Sequence, residues 1–483
     1  MKKKGCGRFA PCDVRGDSGR IAAKMNYIRD YTIVIPADAV PNERRAAAFI
    51  RDNIALVCGC RLPVVTDNTS ASGCEIAVGR TNRENEDGLQ LWRSRDHVWE
   101  YTVRLVGARM YVTGLGVPAT PPEEYRSAYR YVDDGAMATA YAAYHFVEKI
   151  LGYDFMRGAF ITPPYTPDAE IPAEYCYNYT RAKLSDMELP RFDGPSMYML
   201  PVTDELNWNM MSVIFRTAHG KLVVIDGGQA GETEVLISAL RRISGLETPT
   251  VTAWFITHMH PDHYGVLNKL ALGGDRRVRV ERIYHGLLER DFYTDITCEK
   301  IPGLGTVWGT LTNADRTLGA QVIRLNESDK ICVDELCFEV VHTAACVERE
   351  LLPKMNMNDS STVLRLCVGG QKILFLSDSE WVCNNALLEK HRDMLSADVV
   401  QIGHHGCGNV SDKCYEAIGA RLALLPAGNR FYYSDGGEGL NSHNTGMIRT
   451  LRLMEQNHVP VIGVREIPFC SPLPIDIDNI VKA

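Results

Sequence analysis

The sequence predicts an α/β protein with a smaller α+β unit in front of it. Three observations carry this. The chain has 483 residues, too long for one ordinary core. From about residue 195, apolar strand-like runs alternate with helical stretches. Three of those runs end directly in imidazole or carboxylate side chains: Pro249–Thr257 before His258, Lys372–Leu376 before Asp378, and Val399–Ile402 before His404 and His405. Side chains gathered at strand ends are how α/β folds build sites.

Composition narrows the class. Hydrophobic residues are 45% and charged residues 23%, the mix of a water-soluble globular protein. A net charge of −8 gives no general attraction for nucleic acid or an anionic membrane. The 15 cysteines are odd in number, scattered, and form no C-x-x-C pair. Reduced, mostly buried thiols and a cytoplasmic location are therefore expected. Lys2, Lys3 and Lys4 precede no apolar stretch, so no signal peptide is expected. No run approaches the roughly 18 apolar residues of a membrane span.

In chain order, residues 1–28 read as a polar, Gly-rich arm. Thr32–Pro36, Leu62–Thr66 and Glu75–Gly79 read as strands, and Glu43–Val57 as a helix with Ala47, Ile50, Ile54 and Val57 on one face. Tyr101–Leu105 and Met110–Gly114 form a hairpin turning at Gly107-Ala108, and a helix runs from Gly135 to Leu151. Five prolines between residues 163 and 190 mark a linker, placed at 166–194. Beyond it, Met197–Leu200, Met211–Phe215 and Lys221–Asp226 read as strands, the last ending in an Asp-Gly-Gly turn. A helix over Thr233–Ile243, the strand to Thr257 and a helix from His263 follow. Residues 275–330 read as an insertion that shapes a pocket. Leu336–Val341 and Thr362–Val368 look like paired strands.

The stretch "VIP…RDNI…RLPVVTDN" with "EIAVGRTNR" resembles the small accessory domain that precedes the catalytic domain of β-N-acetylhexosaminidases and α-glucuronidases, over residues 29–165. That domain carries no catalytic residues, so the resemblance implies a partner surface, with self-association as the expectation.

The chemistry begins at His258-Met259-His260-Pro261-Asp262-His263. Three imidazoles and a carboxylate within six residues cannot share one face of a strand, because successive side chains alternate. A loop leaving a strand can gather them. Imidazole with carboxylate suits zinc, iron or manganese. Asp378 follows a strand with four consecutive apolar residues, Ile373 to Leu376, and a buried unpaired carboxylate is costly unless a cation stabilises it.

This H-x-H-x-D-H signature, followed by "FLSD", "VVQIGHHG" and a late His443, resembles the metallo-β-lactamase superfamily over the region assigned as the catalytic domain, residues 195–475. The ending is most similar to the branch of the competence proteins of the ComEC type and the phosphorylcholine esterases. The resemblance implies an αββα sandwich, two mixed sheets flanked by helices. It implies Zn2+, one ion or two, with Mn2+ or Fe2+ as alternatives. By position, His258 and His260 would hold one metal and Asp262, His263 and His404 the other, with Asp378 bridging. Asp226 would fix the loop geometry. Many members supply a middle histidine where this chain reads Met357-Asn358-Asp359-Ser360-Ser361. Asn358, Asp359 or water would complete that half.

The implied activity is hydrolysis. Divalent cations lower the pKa of bound water to about 7 and hold a hydroxide ready at neutral pH. Asp262 or Asp378 would accept its proton. His405 or His443, with Asn441 and Asn444 nearby, would stabilise the leaving oxygen. A phosphodiester or related ester is the expected substrate, small or a polymer end. A lactone, amide or carboxylic ester, β-lactams included, is the alternative. An iron-dependent oxidoreductase reading would want a flavodoxin-like domain, and none is visible.

Overall fold

The computed structural model describes residues 26–91, 100–115, 137–155, 162–179, 187–203, 209–288, 311, 314–348, 350–435, 439–440, 442, 446–465 and 467–482. They divide into two units, Met1–Tyr153 with Thr162–Thr180, and Asp154–Ile161 with Arg181–Ala483.

The N-terminal unit contains β1 (Thr32–Ile35), α1 (Pro41–Cys58), β2 (Val64–Thr66), β3 (Glu75–Val78), β4 (Tyr101–Val106), β5 (Arg109–Gly114), α2 (Met137–Lys149) and β6 (Cys176–Tyr179). Its sheet runs β2-β1-β3-β5-β4-β6. β4 is antiparallel to both neighbours and the other pairs are parallel. α1 starts on Pro41 and stops at Gly59, whose φ of 70° is left-handed. Glu43 closes its first turn by accepting from Val40 N at 3.0 Å. Ala46, Ala47, Ile50, Ile54 and Val57 are buried, as the helical spacing requires. Part of the expected linker is β6, a strand of this sheet. Four residues, Cys-Tyr-Asn-Tyr, are too few for alternation to stand out among prolines.

The C-terminal unit begins with β7 (Ser196–Met199), β8 (Ser212–Arg216), β9 (Leu222–Asp226), α3 (Thr233–Ser244), β10 (Thr250–Ile256), α4 (Pro261–Gly273), β11 (Arg279–Val280), β12 (Arg282–His285) and β13 (Gln321–Arg324). It continues with β14 (Lys330–Val333), β15 (Leu336–His342), β16 (Val363–Val368), β17 (Gln371–Phe375), α5 (Trp381–Lys390), β18 (Val399–Gln401), α6 (Asp412–Ile418), β19 (Leu422–Leu425), α7 (Gly446–Gln456), β20 (Val461–Gly463) and β21 (Phe469–Pro472). One sheet is ordered β13-β12-β10-β9-β8-β7-β21, with β11 also on β10. The other is β14-β15-β16-β17-β18-β19-β20.

Alternation along the strands assigns the layers. Val223, Ile225, Ala253 and Phe255 of the first sheet share a core with Phe338, Leu366, Ile373, Phe375 and Leu424 of the second. Their neighbours point the other way. Leu222, Val224, Trp254 and Ile256 pack on Leu236 and Leu240 of α3 and Leu267 of α4. Leu374, Val400 and Ala423 pack on Leu387 of α5, Ile418 of α6 and Leu451 of α7. Helices, sheet, sheet, helices: this is the expected αββα sandwich. β9 with β10, and β17 with β18, are parallel pairs, so their carboxyl ends emerge side by side.

The cysteines depart from expectation. Cys332 and Cys337 face each other across β14 and β15 and form a disulfide, and Cys176 is also disulfide-bonded. Cys58, Cys383, Cys407 and Cys414 are buried thiols. The short hairpin places Cys332 opposite Cys337 (Cα–Cα 4.1 Å), which cysteine spacing alone does not reveal. Among the described residues no helix is long and apolar enough to cross a membrane.

Charge is also arranged across this sheet. Lys330 and Arg365 stand opposite Glu339 on the two neighbouring strands. Lys330 Nζ lies 2.8 Å from the carboxylate, and Arg365 Nε donates to it at 2.9 Å. Burial alone would raise the Glu339 carboxyl, but hydrogen bonds from Lys330 and Arg365 outweigh it and hold it at about 2, below its usual 4.5. A carboxyl depressed in the fold stabilises it above the unfolded value and stops doing so as pH falls. With exposed Lys330 screened by solvent, about 1–2 kcal/mol is expected to be lost between roughly pH 4.5 and 2. Acid titration of thermal stability checks this: Glu339→Gln should flatten the slope in that window, and an unchanged slope would refute it.

Candidate metal centre

At three of the four strand exits that meet here the backbone turns left-handed; the exit of β10 does not. Asp226 after β9 has φ 61°, Ser377 after β17 has 54°, and His404 and His405 after β18 have 46° and 48°. Such conformations are uncommon for residues with a side chain and are held only where the surroundings demand them. Here they turn ligand-type groups from both sheets into one space. The two sheet ends are tied together there. Thr257 N donates to Asp226 Oδ1 at 2.8 Å, and Ser377 Oγ donates to Thr257 Oγ1 at 2.7 Å.

Two groups of ligand-type atoms result, Asp262–His263–Asp378–His405 and His258–His260–Asp378. In the first, Asp378 Oδ2 lies 3.3 Å from both His263 Nε2 and His405 Nε2, and His405 Nε2 lies 3.3 Å from Asp262 Oδ2. In the second, His258 Nε2 is 3.1 Å from His260 Nδ1 and 3.9 Å from Asp378 Oδ2. Asp378 belongs to both.

The outward nitrogens are held. Asp226 Oδ2 sits 2.8 Å from His263 Nδ1, and the Pro426 carbonyl accepts from His405 Nδ1 at 2.7 Å. Each partner leaves Nε2 facing the cluster, the arrangement that orients metal-binding imidazoles. Asp226 thus sits behind the loop, in contact with both Thr257 and His263. Burial, aided by the charge on His263, holds His258 well below the usual imidazole range, so it is neutral. Burial would also lower His405, but Asp378 and Asp262 outweigh it and raise it to about 9.

His404 is placed differently from the expectation. The position between Asp262 and Asp378 belongs to His405, and His404 stands at the rim, its Nε2 3.9 Å from Asp378. Its Nδ1 is 3.1 Å from Glu380 Oε1 and its Nε2 is 3.3 Å from Asn358 Nδ2. With left-handed φ at both residues, consecutive side chains diverge and the second one enters the cluster. Asp359 also differs from the expectation of an extra ligand. Its Oδ1 accepts from Val382 N and Cys383 N at 2.8 and 3.1 Å, capping α5. Asn358 is buried beside Glu380, with Oδ1 making no hydrogen bond. His443, Asn441 and Asn444 lie outside the described residues.

Three further residues join the site. Asn209 Nδ2 donates to Asp262 Oδ2 at 2.9 Å. Glu380 accepts from Asn356, Asn358 and Asn409 at 2.6, 2.8 and 2.7 Å. Burial would raise its carboxyl, but hydrogen bonds from His404 and Asn358 hold it at about 2. Glu380 was within reach of sequence reading, two residues after Asp378. Asn209 and Asn409 carry no local signal.

The donor set fits a divalent cation. Asp378 is fully buried, yet its Oδ1 makes no hydrogen bond. An ionised oxygen with no donor is costly inside a protein and is repaid by a cation.

Comparison with known proteins agrees. A family model described as the metallo-beta-lactamase superfamily matches residues 211–462. The chain belongs to the metallo-β-lactamase superfamily. Membership implies a divalent-metal site and places the chain among families of metal-dependent hydrolases. The match runs from β8 to β20, so all the ligand-type clusters above and both sheets, apart from β7 and β21, lie inside it. No curated protein matches the chain. Solved structures similar to it include the metallo-β-lactamase-fold protein YhfI from Bacillus subtilis, at 12% identity and TM-score 0.35, covering 57% of this chain and 98% of that one. CmlA, a diiron β-hydroxylase from Streptomyces venezuelae, aligns at 14% identity and TM-score 0.34, over 59% and 55%. Zn2+-bound PqqB from Methylobacterium extorquens aligns at 9% identity and TM-score 0.33, over 56% and 90%.

Proposed function

We propose that this metallo-β-lactamase-fold chain hydrolyses a phosphodiester or related ester with two divalent cations. One would be held by His258, His260 and Asp378, the other by Asp262, His263, His405 and Asp378. The observation that carries the reading is Asp378, a buried carboxylate common to both ligand groups. Zinc, manganese and iron(II) all suit this imidazole–carboxylate set. When bound, such cations supply Lewis acidity toward an ester oxygen and a water that ionises near neutral pH, and paired cations suit in-line displacement at phosphorus.

The protein's own groups do the rest. Asn209 fixes Asp262, whose second contact is His405, so that carboxylate is positioned to take a proton from an attacking water. Asp226 and the Pro426 carbonyl hold His263 and His405 in one tautomer each. Glu380, Asn358 and Asn409 hold His404 at the rim, where it would stand beside a departing oxygen and stabilise it. His404 thereby takes the role expected of His405 or His443. The "FLSD" and "VVQIGHHG" stretches favour the competence-protein and phosphorylcholine-esterase branch, which supports phosphorus over carbon.

A small or polymer-end substrate fits the net charge of −8. Arg277, in a local basic cluster with Arg276, Arg279 and Arg282, is engaged by Glu234 at 2.8 Å and by Asp275. For the N-terminal unit, descent from the hexosaminidase-type accessory domain and a self-association role are part of the same proposal.

The test is a substrate panel on metal-loaded full-length protein. Bis(p-nitrophenyl) phosphate turnover should exceed hydrolysis of a lactone, a p-nitrophenyl ester and a β-lactam by at least tenfold in kcat/KM. The reverse order would move the assignment to the carbon-centred alternative. Indifference of every activity to His263→Ala would sink the metal-centre reading.

A further inference from the structure

A second group of ligand-type side chains converges elsewhere in the C-terminal unit and shares no residue with the centre above. Glu327 lies in the turn before β14, His342 ends β15, and His391 follows the last residue of α5. One ligand atom from each lies within 4.8 Å of the others. Glu327 Oε1 is 3.0 Å from His342 Nδ1 and 3.1 Å from His391 Nε2. The imidazole planes are inclined at 53°, with centroids 5.9 Å apart, so the rings do not stack. They aim nitrogens at one carboxylate from two directions.

The orientation of His391 separates two explanations. Its Nε2 is close enough to Glu327 to hydrogen-bond, yet makes no hydrogen bond. The nitrogen axis therefore passes beside the oxygen. A hydrogen-bonded relay wants the N–H directed at the acceptor. Ligands of a common cation direct their lone pairs at a point between them. His342 is fully buried, and its Nδ1 hydrogen-bonds Glu327 Oε1, a shared proton that a cation bound there would displace. Two imidazoles and one carboxylate leave room for a fourth ligand on a tetrahedral ion, a donor set that zinc accepts.

We propose that Glu327, His342 and His391 form a further divalent-cation site, of the zinc type, that pins the C-terminal end of α5 to β15. The other end of α5 is where the consequence lies. Asp359 caps its first turn, and Glu380, the residue just before it, holds His404, Asn358 and Asn409. One helix thus joins the rim of the hydrolytic centre to the second cluster. A cation at His391 fixes the helix along its axis and so steadies the Glu380 end. The inference uses none of the centre's ligands and stands whether or not the proposed substrate is right.

Metal stoichiometry decides it. Full-length protein is stripped with a chelator, dialysed against a slight excess of Zn2+ and analysed by plasma mass spectrometry. Glu327→Gln and His391→Ala are compared with wild type, and again in a His263→Ala/Asp378→Ala background that disables the first centre. Each substitution is expected to remove one equivalent of zinc in both backgrounds. It should also abolish the zinc-dependent rise in melting temperature that survives in the doubly substituted background. His391 sits at a helix end and Glu327→Gln is isosteric, so at least one variant will fold. Equal zinc content in parent and variant, in both backgrounds, would overturn the site and leave a hydrogen-bonded His–Glu–His cluster.

Discussion

Replacing Asp378 by alanine is expected to lower hydrolytic turnover on the order of 10³-fold or more, with bound metal falling from about two equivalents at the first centre to less than one. The reason is how many groups depend on one carboxylate. Its Oδ2 is 3.3 Å from His263 and His405 and 3.9 Å from His258 and His404. No other carboxylate among the described residues belongs to both ligand groups. Without it, neither half retains its full donor set, and His405 loses the strongest influence raising its pKa. Asp378→Asn is the informative companion. It keeps the shape and removes the charge, so it should fold like wild type and fail like alanine. Turnover within tenfold of wild type for Asp378→Asn, with metal retained, would show that the carboxylate does not join the two halves.

Much of this was legible in the chain because the same physics was written three times. A run such as Ile373-Leu374-Phe375-Leu376 reads as a strand buried on both faces, and a carboxylate at its exit needs a partner. The parallel pairing of β9 with β10 in one sheet and of β17 with β18 in the other sets the exits side by side within each sheet, so a motif in sequence became a cluster in space. β13, β14 and β21 were not foreseen. They are edge or near-edge strands of four residues with half-exposed patterns, and neighbours rather than periodicity hold them.

The choice between His404 and His405 was not legible either. Both are histidines at one strand exit, and their directions depend on two consecutive left-handed residues that composition does not encode. The same holds for Asn209, whose link to Asp262 spans a sequence separation of 53. His342 could be singled out as the end of a strand. Its partners Glu327 and His391 arrive from a turn and a helix terminus, and only the packing of α5 on β15 brings them to it.

Removing metal from the first centre should expose a pH dependence that the loaded protein lacks. In the metal-free fold, Asp378, Asp226 and Asp262 overcome the burial penalty and raise His263 well above its usual range. They raise His405 to about 9. At pH 7 both imidazoles therefore carry protons that a cation must displace, and two protons are expected to leave per cation bound at the Asp262–His263–His405 half. The sign follows for stability. A histidine raised above its unfolded value of 6.5 stabilises the metal-free fold fully below that value and loses the contribution as pH climbs through about 9. For His405 the shift corresponds to on the order of 3 kcal/mol. Metal affinity moves the opposite way, strengthening up to a hundredfold per pH unit until the imidazoles are free. Chelated protein should thus melt progressively lower from about pH 6.5 to 9, while zinc-loaded protein holds level, with roughly 4 kcal/mol separating them once free zinc exceeds its dissociation constant a thousandfold. Calorimetry in two buffers of different ionisation enthalpy counts the protons directly. Zinc binding at pH 7 with no proton release would mean that His263 and His405 are neutral in the metal-free protein, and that the three carboxylates do not govern the site as described.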